Sequence, residues 1–139
     1  MSLDCFHPAV AAWFRDALGP PTDVQCRAWQ AIRRCRPVLL AAPTGSGKTL
    51  AAFLCAIDAL LRESLTFSLP DECRVLYVSP LKALSNDVRL NLQAPLAGID
   101  ALHEAEHGRA AGIRVAVRTG DTPQAERQRM SRRPPHVLV

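Results

Sequence analysis

One eight-residue stretch, 42–49, constrains the fold more than any other feature of this sequence. It consists of Ala42, Pro43, Thr44, Gly45, Ser46, Gly47, Lys48 and Thr49. An apolar run, 38–41, precedes it and a long apolar stretch, 50–61, follows it. This order predicts a strand, a glycine-rich loop and a helix, which is the context of a phosphate-binding loop. Ala42 stands where the strict pattern has Gly, but the core Gly-x-Gly-Lys-Thr is intact.

The residue types in this loop suit a nucleotide phosphate. Glycines let backbone N–H groups turn toward the phosphate oxygens, and the helix that follows points the positive end of its dipole at them. Lys48 is placed to reach the β- and γ-phosphates, and the Thr49 hydroxyl is placed to hold Mg²⁺. A glycine turn without a ligand is the alternative, and the flanking strand and helix patterns disfavour it.

Composition bounds the class of protein. The 139 residues are 48% hydrophobic, which is enough for one domain with a core, and the net charge of +4 is compatible with nucleic acid without indicating it. The start of the sequence lacks the pattern of a secretory signal, and no apolar run could cross a bilayer, so we expect a cytoplasmic protein without a membrane partner. Five scattered cysteines predict small buried side chains rather than a zinc cluster or disulfides.

The hydrophobic pattern alternates between helices and strands. Helices are predicted at 8–18, 22–34, 48–63 and 84–92, with a short one from Thr122. Strands are predicted at 38–41, 75–78, 113–118 and 136–139. The alternation predicts an α/β fold with a doubly wound, mainly parallel sheet and right-handed crossovers.

Gln25 has two possible roles. Together with Thr22 it forms the pattern Thr-x-x-Gln, which predicts a capping box at the start of the second helix. Its amide could also donate to and accept from the edge of an adenine. The residues alone favour the capping role.

Two turns are expected at the carboxyl edge of the sheet, where open α/β folds bind their ligands. The stretch 79–84 follows the strand at 75–78, and 118–121 follows the strand at 113–118. Threonine hydroxyls, backbone N–H groups and basic side chains at such positions can hold a sugar-phosphate backbone. Each turn taken alone could equally be an ordinary connection.

Taken together and in this order, the motifs resemble the first motor domain of a superfamily 2 DEAD/DEAH-box helicase, and most closely the Lhr (large helicase-related) group. The stretches that carry the resemblance are 13–14, 21–25, 42–54, 77–84 and 115–122. The resemblance implies a P-loop NTPase (RecA-like) fold and an ATP-dependent helicase that acts on DNA or RNA, in DNA repair. The resemblance also implies that residues 1–139 form one partial ATP-binding domain. Its N-terminal helices occupy 1–36 and its sheet core occupies 37–139.

The resemblance also implies roles for individual residues. Gln25 resembles the glutamine that reads adenine, and Pro43, Thr44, Gly45, Ser46, Gly47, Lys48 and Thr49 resemble the residues that bind ATP. Lys48 and Thr49 then have catalytic roles, and Thr49 is the ligand of Mg²⁺. The residues expected to contact a nucleic-acid strand are Pro80, Leu81, Lys82, Arg118, Thr119, Gly120 and Asp121.

The sequence departs from the family in what it lacks. An active relative needs an Asp-Glu-x-His box after an apolar strand, a Ser-Ala-Thr motif and a second motor domain, none of which is in these 139 residues. Asp71 and Glu72 mimic the acidic box but precede their strand, so they belong at the amino edge of the sheet. We therefore expect a C-terminally truncated, incomplete sheet in which the segment 38–41 lacks its neighbours, and an unstable isolated chain. An alternative function follows, a catalytically inactive fragment that binds nucleotide or nucleic acid.

Two more clusters have ordinary explanations. The stretch 103–107 fits His-Glu-x-x-His, a zinc-protease pattern, but its flanks predict a solvated helix end. The arginines of the last helix predict a solvated face, with phosphate contact as the alternative; they are Arg127, Arg129, Arg132 and Arg133.

Overall fold

The computed structural model describes residues 3–80 and 82–139, and for 82–86 it describes the backbone alone. After a 3₁₀ turn at Leu3–Cys5, the helices are α1 (Pro8–Leu18), α2 (Asp23–Arg33), α3 (Lys48–Thr66), α4 (Lys82–His107) and α5 (Gln124–Arg132). The strands are β1 (Val75–Leu76), β2 (Val115–Ala116) and β3 (Val137–Leu138).

The three strands form a parallel sheet in the order β1-β3-β2. Val137 of β3 pairs with Val75 on one side and with Val115 on the other. The pairing continues beyond the strands, because the N–H of Tyr77 donates to the carbonyl of Leu138 and the N–H of Arg118 donates to that of Val139, each at 2.8 Å. The predicted α/β class and the three predicted strands from residue 75 onward are confirmed, although the paired segments are shorter than expected.

The predicted strand at 38–41 is wrong. Residues 36–43 have no regular secondary structure, and in the part of the chain that the structure describes no strand pairs with them. Leu39 is 95% exposed. A strand is stabilised by its neighbours, so an apolar run without a partner to bond remains extended and exposes its side chains. The expectation that this segment lacks neighbours agrees with the structure.

Helix α4 is longer than the predicted 84–92, and it continues through Pro95 to His107. A proline inside a helix removes one hydrogen bond and crowds the preceding turn, which is why the sequence predicts an end there. Packing compensates, because α4 lies against α1. Trp13 of α1 fits so closely over Gly98 that a Cβ at residue 98 would collide with the indole ring.

The helical core is built around Trp29 of α2. Its ring is fully buried and meets Phe6 and Phe14 edge-on, with ring centroids 4.8 Å and 5.5 Å away. Its indole N–H donates to the carbonyl of Ala51 at 3.1 Å, in the first turn of α3. The core thus fixes the beginning of α3, which is the end of the candidate phosphate loop.

Asp58 is a buried carboxylate that joins three parts of the helical layer, and its side chain is 4% exposed. It accepts hydrogen bonds from the backbone N–H of His7 at 2.6 Å and from the guanidinium groups of Arg33 and Arg62, both at 2.9 Å. A buried carboxylate with three donors is satisfied, whereas removing one donor would leave a costly buried charge.

The cysteines only partly match the prediction of small buried side chains. All five are free, as expected, but Cys35 and Cys73 are exposed. Burial raises the pKa of the Cys55 thiol to about 11, which keeps it protonated and unreactive at neutral pH.

His136 fastens the amino ends of the strands. Its Nδ1 accepts a hydrogen bond from the N–H of Arg114 at 3.0 Å, and its Nε2 lies 3.1 Å from the carbonyl of Pro70. Because a carbonyl only accepts, Nε2 carries the proton and the ring is neutral. Burial, reinforced by the charge of Arg114, lowers the pKa of His136 below its ordinary value of 6.5.

A neutral buried histidine predicts that the protein loses stability in mild acid. The unfolded chain takes up a proton near the ordinary histidine pKa and the folded chain does so only at lower pH, so stability falls as the pH drops below about 6.5. Urea unfolding between about pH 7.5 and 5 measures this loss. The variant His136→Gln should be less stable at neutral pH but should lose less between the two pH values. An unchanged pH slope would contradict the assignment, because His7, whose pKa burial also lowers, would then account for the whole effect.

Candidate functional site

The loop before α3 has the backbone of a phosphate-binding loop. Gly45 and Gly47 have φ values of +81° and +80°, in the left-handed region that glycine adopts without strain. Gly47 is the N-cap of α3, and no side chain caps this end of the helix. The first N–H groups of a helix have no intrahelical partner, so this end can accept an anion.

Lys48 bridges the two ends of the loop. Its Nζ donates to the carbonyls of Ala42 at 2.5 Å and of Pro43 at 2.6 Å, at the start of the loop. The ammonium is thus held against the loop and does not extend away from it into solvent. In this position it can exchange carbonyl oxygens for the oxygens of a phosphate.

Ser46 and Thr49 supply hydroxyls to the same loop. The Oγ atom of Ser46 is buried and has no hydrogen-bond partner among the described residues. Buried polar atoms nearly always have a partner, so an unsatisfied hydroxyl in a glycine-rich loop fits a ligand oxygen. Thr49 is exposed at the second position of α3, where its hydroxyl is accessible to a cation. These observations fit the binding of a nucleoside triphosphate at 43–49 with Mg²⁺ near Thr49.

Gln25 forms the predicted capping box. The Thr22 hydroxyl accepts from the N–H of Gln25 at 3.2 Å, and the Gln25 side-chain oxygen accepts from the N–H of Thr22 at 2.9 Å. The side chain is buried, and its amide group lies against Gly47, where a Cβ would collide with Nε2. The capping role is confirmed, and the adenine-reading role stays a prediction.

Thr22 adds a second contact between α2 and the loop. Its hydroxyl also donates to the carbonyl of Ser46 at 3.3 Å. The start of α2 and the phosphate loop are therefore held together by one hydroxyl and one amide.

The second candidate turn leaves β2 and is internally bonded. The N–H of Thr119 donates to the Thr122 hydroxyl at 2.8 Å, and the N–H of Asp121 donates to the Thr119 hydroxyl at 3.2 Å. Arg118, the residue before the turn, lines a surface cavity of about 370 Å³ with the polar face of α5. The turn lies at the carboxyl end of its strand, as predicted.

Arg127 holds this turn, a role that the sequence reasoning missed. Its guanidinium donates to the carbonyls of Thr119 at 3.1 Å, Gly120 at 2.7 Å and Thr122 at 2.8 Å. The prediction of a solvated face is wrong for this arginine. Its position in the first turn of a predicted helix could have indicated this role. Helical side chains lean toward the N-terminus of their helix, so a long one in the first turn can reach the residues before the helix.

The other predicted contact follows β1. Pro80 is exposed beyond the carboxyl end of that strand, and Lys82 begins α4. Leu81 and the side chain of Lys82 lie outside the described residues. Because β1 and β2 flank β3 in a parallel sheet, the two turns leave the same edge on either side of the central strand.

The acidic pair at 71–72 is structural. Asp71 forms ion pairs with Arg114 at 2.5 Å and Arg133 at 3.4 Å, and Glu72 pairs with Arg74 at 3.5 Å. Both acids precede β1, at the amino end of the sheet, as the sequence predicted. They lie at the opposite end of the strands from the candidate turns.

His103 contradicts the prediction of a solvated helix end. The C-terminal turn of α4 is exposed at Glu104 and Glu106, but His103 is completely buried. Sequence reasoning missed this because the residues that cover it come from a distant part of the chain, near His7.

A family model described as DEAD/DEAH box helicase matches residues 22–139. The chain is 45% identical over 98% of its length to "Lhr helicase/uracil glycosylase" of Escherichia coli (strain K12), of which it covers 9%. It is 48% identical over 96% of its length to "ATP-dependent helicase Lhr-Core" of Methanothermobacter thermautotrophicus, of which it covers 15%. The chain thus spans a small part of these relatives.

Solved structures share the fold. One is the helicase Lhr of Mycobacterium smegmatis bound to ssDNA and AMP-PNP, with a TM-score of 0.86 and 48% sequence identity. The match covers 98% of this chain and 17% of the Mycobacterium smegmatis chain. Another is the DUF1998 helicase MrfA bound to DNA and AMPPNP, with a TM-score of 0.74 over 96% of this chain and 16% of the MrfA chain. Its sequence identity of 24% means that this likeness shows the fold alone. The predicted P-loop NTPase (RecA-like) class is confirmed. In the described residues no helix combines the length and apolarity that a membrane span requires.

The close approach of Gln25 to Gly47 yields a stability prediction. Gly47→Ala should destabilise the protein more than Gly45→Ala, by about 1 kcal/mol or more, since both pay for a left-handed alanine but only the first displaces a buried amide. The two glycines have the same φ, and a Cβ at residue 45 would have no atom within 4 Å. Urea unfolding of both variants measures the difference. Equal losses would mean that the amide moves aside without cost.

Proposed function

The chain belongs to the DEAD/DEAH box helicase family, and on that premise we propose that it forms part of the first motor domain of an ATP-dependent helicase of the Lhr group. The single observation that carries the proposal is the phosphate loop, with its left-handed glycines, the uncapped start of α3 and an unsatisfied buried hydroxyl at Ser46. The relative from Mycobacterium smegmatis, with the same fold, is bound to ssDNA and AMP-PNP.

Residues 43–49 would hold the triphosphate of ATP. The backbone N–H groups at the start of α3 face the phosphates, Lys48 binds them as a cation, and Thr49 holds Mg²⁺ through its hydroxyl. ATP with Mg²⁺ supplies the free energy of hydrolysis that drives a helicase. On binding, Lys48 would replace two neutral carbonyl acceptors with charged oxygens, which form the stronger hydrogen bonds.

We propose that Gln25 reads the adenine. Reading this base requires both the oxygen and the nitrogen of the amide, and the oxygen now accepts the N–H of Thr22. We propose that the amide leaves the cap of α2 when it binds the base. This exchange would couple nucleotide binding to the contact between α2 and the phosphate loop.

The nucleic-acid strand would lie across the carboxyl edge of the sheet. Arg118, Thr119, Gly120 and Asp121 form one contact, and Pro80, Leu81 and Lys82 form the other. Hydroxyls, backbone N–H groups and single charges in such turns hold phosphates without reading the sequence of bases. Arg127 would act as a positioning residue, since it fixes the carbonyls of the turn.

For the 139-residue chain by itself we propose binding without turnover. The acids at 71–72 are committed to ion pairs at the amino end of the sheet, so they are not placed to orient an attacking water at the loop. An ATPase assay with and without single-stranded nucleic acid tests this, and turnover stimulated by the strand would contradict it. From the family resemblance we further propose a cytoplasmic location and DNA repair as the setting.

Removing the loop cation should weaken nucleotide binding. Lys48→Ala should weaken the binding of a fluorescent ATP analogue with Mg²⁺ by roughly 10- to 100-fold, since a charged hydrogen bond is lost at the phosphates. Fluorescence anisotropy measures the affinity. Arg129→Ala, which removes the same charge from the exposed face of α5, is the matched control and should bind as the parent does. Equal affinities for all three proteins would refute a phosphate site at this loop.

Comparing variants of Arg127 and Arg129 distinguishes a positioning role of Arg127 from a general effect of its charge. Arg127→Ala should weaken the binding of a single-stranded oligonucleotide several-fold more than Arg129→Ala, because only the first also frees the turn at 119–122. Binding is measured at several salt concentrations. If each arginine only contacts a phosphate, both variants should lower the slope of log affinity against log salt concentration by the same amount. If both variants lose the same affinity, the turn does not need Arg127 to bind a strand.

A further inference from the structure

Three histidine rings meet where the end of α4 packs against the start of α1. The ring centroids of His103 and His107 are 4.6 Å apart in a stacked arrangement, and that of His7 lies 5.7 Å from His107 and 6.0 Å from His103. His7 and His103 are buried. The cluster therefore joins residues that are 100 positions apart in the sequence, and the helicase function described above uses none of them.

A carboxylate completes this cluster. His7, Glu106 and His107 each offer a ligand atom, and the three atoms lie within 4.8 Å of one another. Two imidazoles with one carboxylate are a donor set that zinc uses in proteins. We call His7, His103, Glu106 and His107 the histidine cluster.

The hydrogen bonds of the α4 histidines leave their second nitrogens available. His103 Nδ1 lies 2.9 Å from the carbonyl of Arg109, and His107 Nδ1 lies 3.2 Å from the carbonyl of His103. A carbonyl can only accept, so each Nδ1 carries a proton, and Nε2 is the nitrogen of each ring that is left to bind a metal. Metal-binding histidines commonly have this second bond to a carbonyl, which fixes the ring and its tautomer.

The Nε2 atom of His103 is the second, independent observation. It is buried and has no hydrogen-bond partner among the described residues, although His103 is fully enclosed. A buried nitrogen lone pair without a partner is unusual and costly. A cation bound by the histidine cluster would satisfy it.

The hydrogen bonds of His7 determine what must change for this residue to bind a metal ion. Its backbone N–H is fixed by Asp58, so the residue is held in place at the start of α1. Its Nδ1 accepts the N–H of Ala9 at 3.2 Å, so ligation through Nε2 requires the proton to move to Nδ1 and that long bond to break. The nearby guanidinium of Arg62 is paired with Asp58, which reduces its repulsion of a cation.

We propose that the histidine cluster binds one zinc ion, through His7, Glu106 and His107, with His103 as the fourth ligand. In a tetrahedral site, bonds of about 2.1 Å place the ligand atoms about 3.4 Å apart. The ligand atoms of His7, Glu106 and His107 lie within 4.8 Å of one another, so the spacing of these three must close by roughly 1.4 Å at most. His103 is not one of the three, and its Nε2 would have to approach the ion as well. Glu106 and His107 are exposed and can rotate to make this adjustment. The ion would connect the start of α1 to the end of α4 and stabilise the packing of the two helices.

The experiment titrates the metal-free 139-residue chain with Zn²⁺ by calorimetry and with Co²⁺ by visible absorption. We expect one equivalent to bind, with the intense absorption of tetrahedral Co²⁺, and the thermal midpoint to rise with Zn²⁺ but not with Mg²⁺. His107→Gln and His7→Gln should each weaken Zn²⁺ binding at least 10-fold. Glu104→Gln removes an exposed carboxylate from the same turn of α4 and should bind as the parent does.

Several outcomes would overturn the proposal. They are the absence of stoichiometric binding, equal affinity in the parent and His107→Gln, or a sulfur-to-cobalt charge-transfer band, which would place the ion on one of the free cysteines. If His7→Gln does not fold, the half-exposed Glu106 still decides the question. Glu106→Gln must then lose affinity while Glu104→Gln retains it. Circular dichroism without metal checks that each variant is folded.

Discussion

The side-by-side packing of α2 on α3 is the constraint on which the rest of this structure depends. Three residues on one face of α2, spaced four apart, each meet α3 or the loop before it. Gln25 lies against Gly47, Trp29 donates to Ala51, and Arg33 pairs with Asp58. The two helices therefore run in the same direction in a fixed register. Because α3 begins at the phosphate loop, this register determines where the loop is held.

Hydrogen bonds within the protein hold the loop in this conformation. Lys48 satisfies its charge on loop carbonyls, and Gln25 satisfies its oxygen at the cap of α2. The groups that we propose to bind ATP are thus mostly bonded to the protein itself, and the free energy of nucleotide binding is the difference between two sets of bonds. Ser46 is the exception, since its hydroxyl gains a partner without giving one up.

Sequence alone predicted the features that depend on neighbours along the chain. The capping box at Thr22 and Gln25, the helix from Lys48 and the turn before α5 follow from local chemistry. The features it missed depend on contacts from far away. Residues 38–41 have the apolar run of a strand, but a strand also needs a partner. Pro95 signals the end of a helix, yet Gly98 lets Trp13 pack closely enough for α4 to continue. The burial of His103 could not be foreseen, because His7 lies 96 residues earlier.

The order of the strands has a consequence for how the molecule assembles during synthesis. The central strand, β3, comes after both of its neighbours in the sequence. Val75 and Val115 leave the ribosome with their pairing groups unsatisfied, and they wait until Val137 has been made. The contacts between α2 and α3 involve residues no later than Asp58, so they can form while that strand is still being translated. The nascent chain would therefore present a finished phosphate loop beside a sheet that does not yet exist.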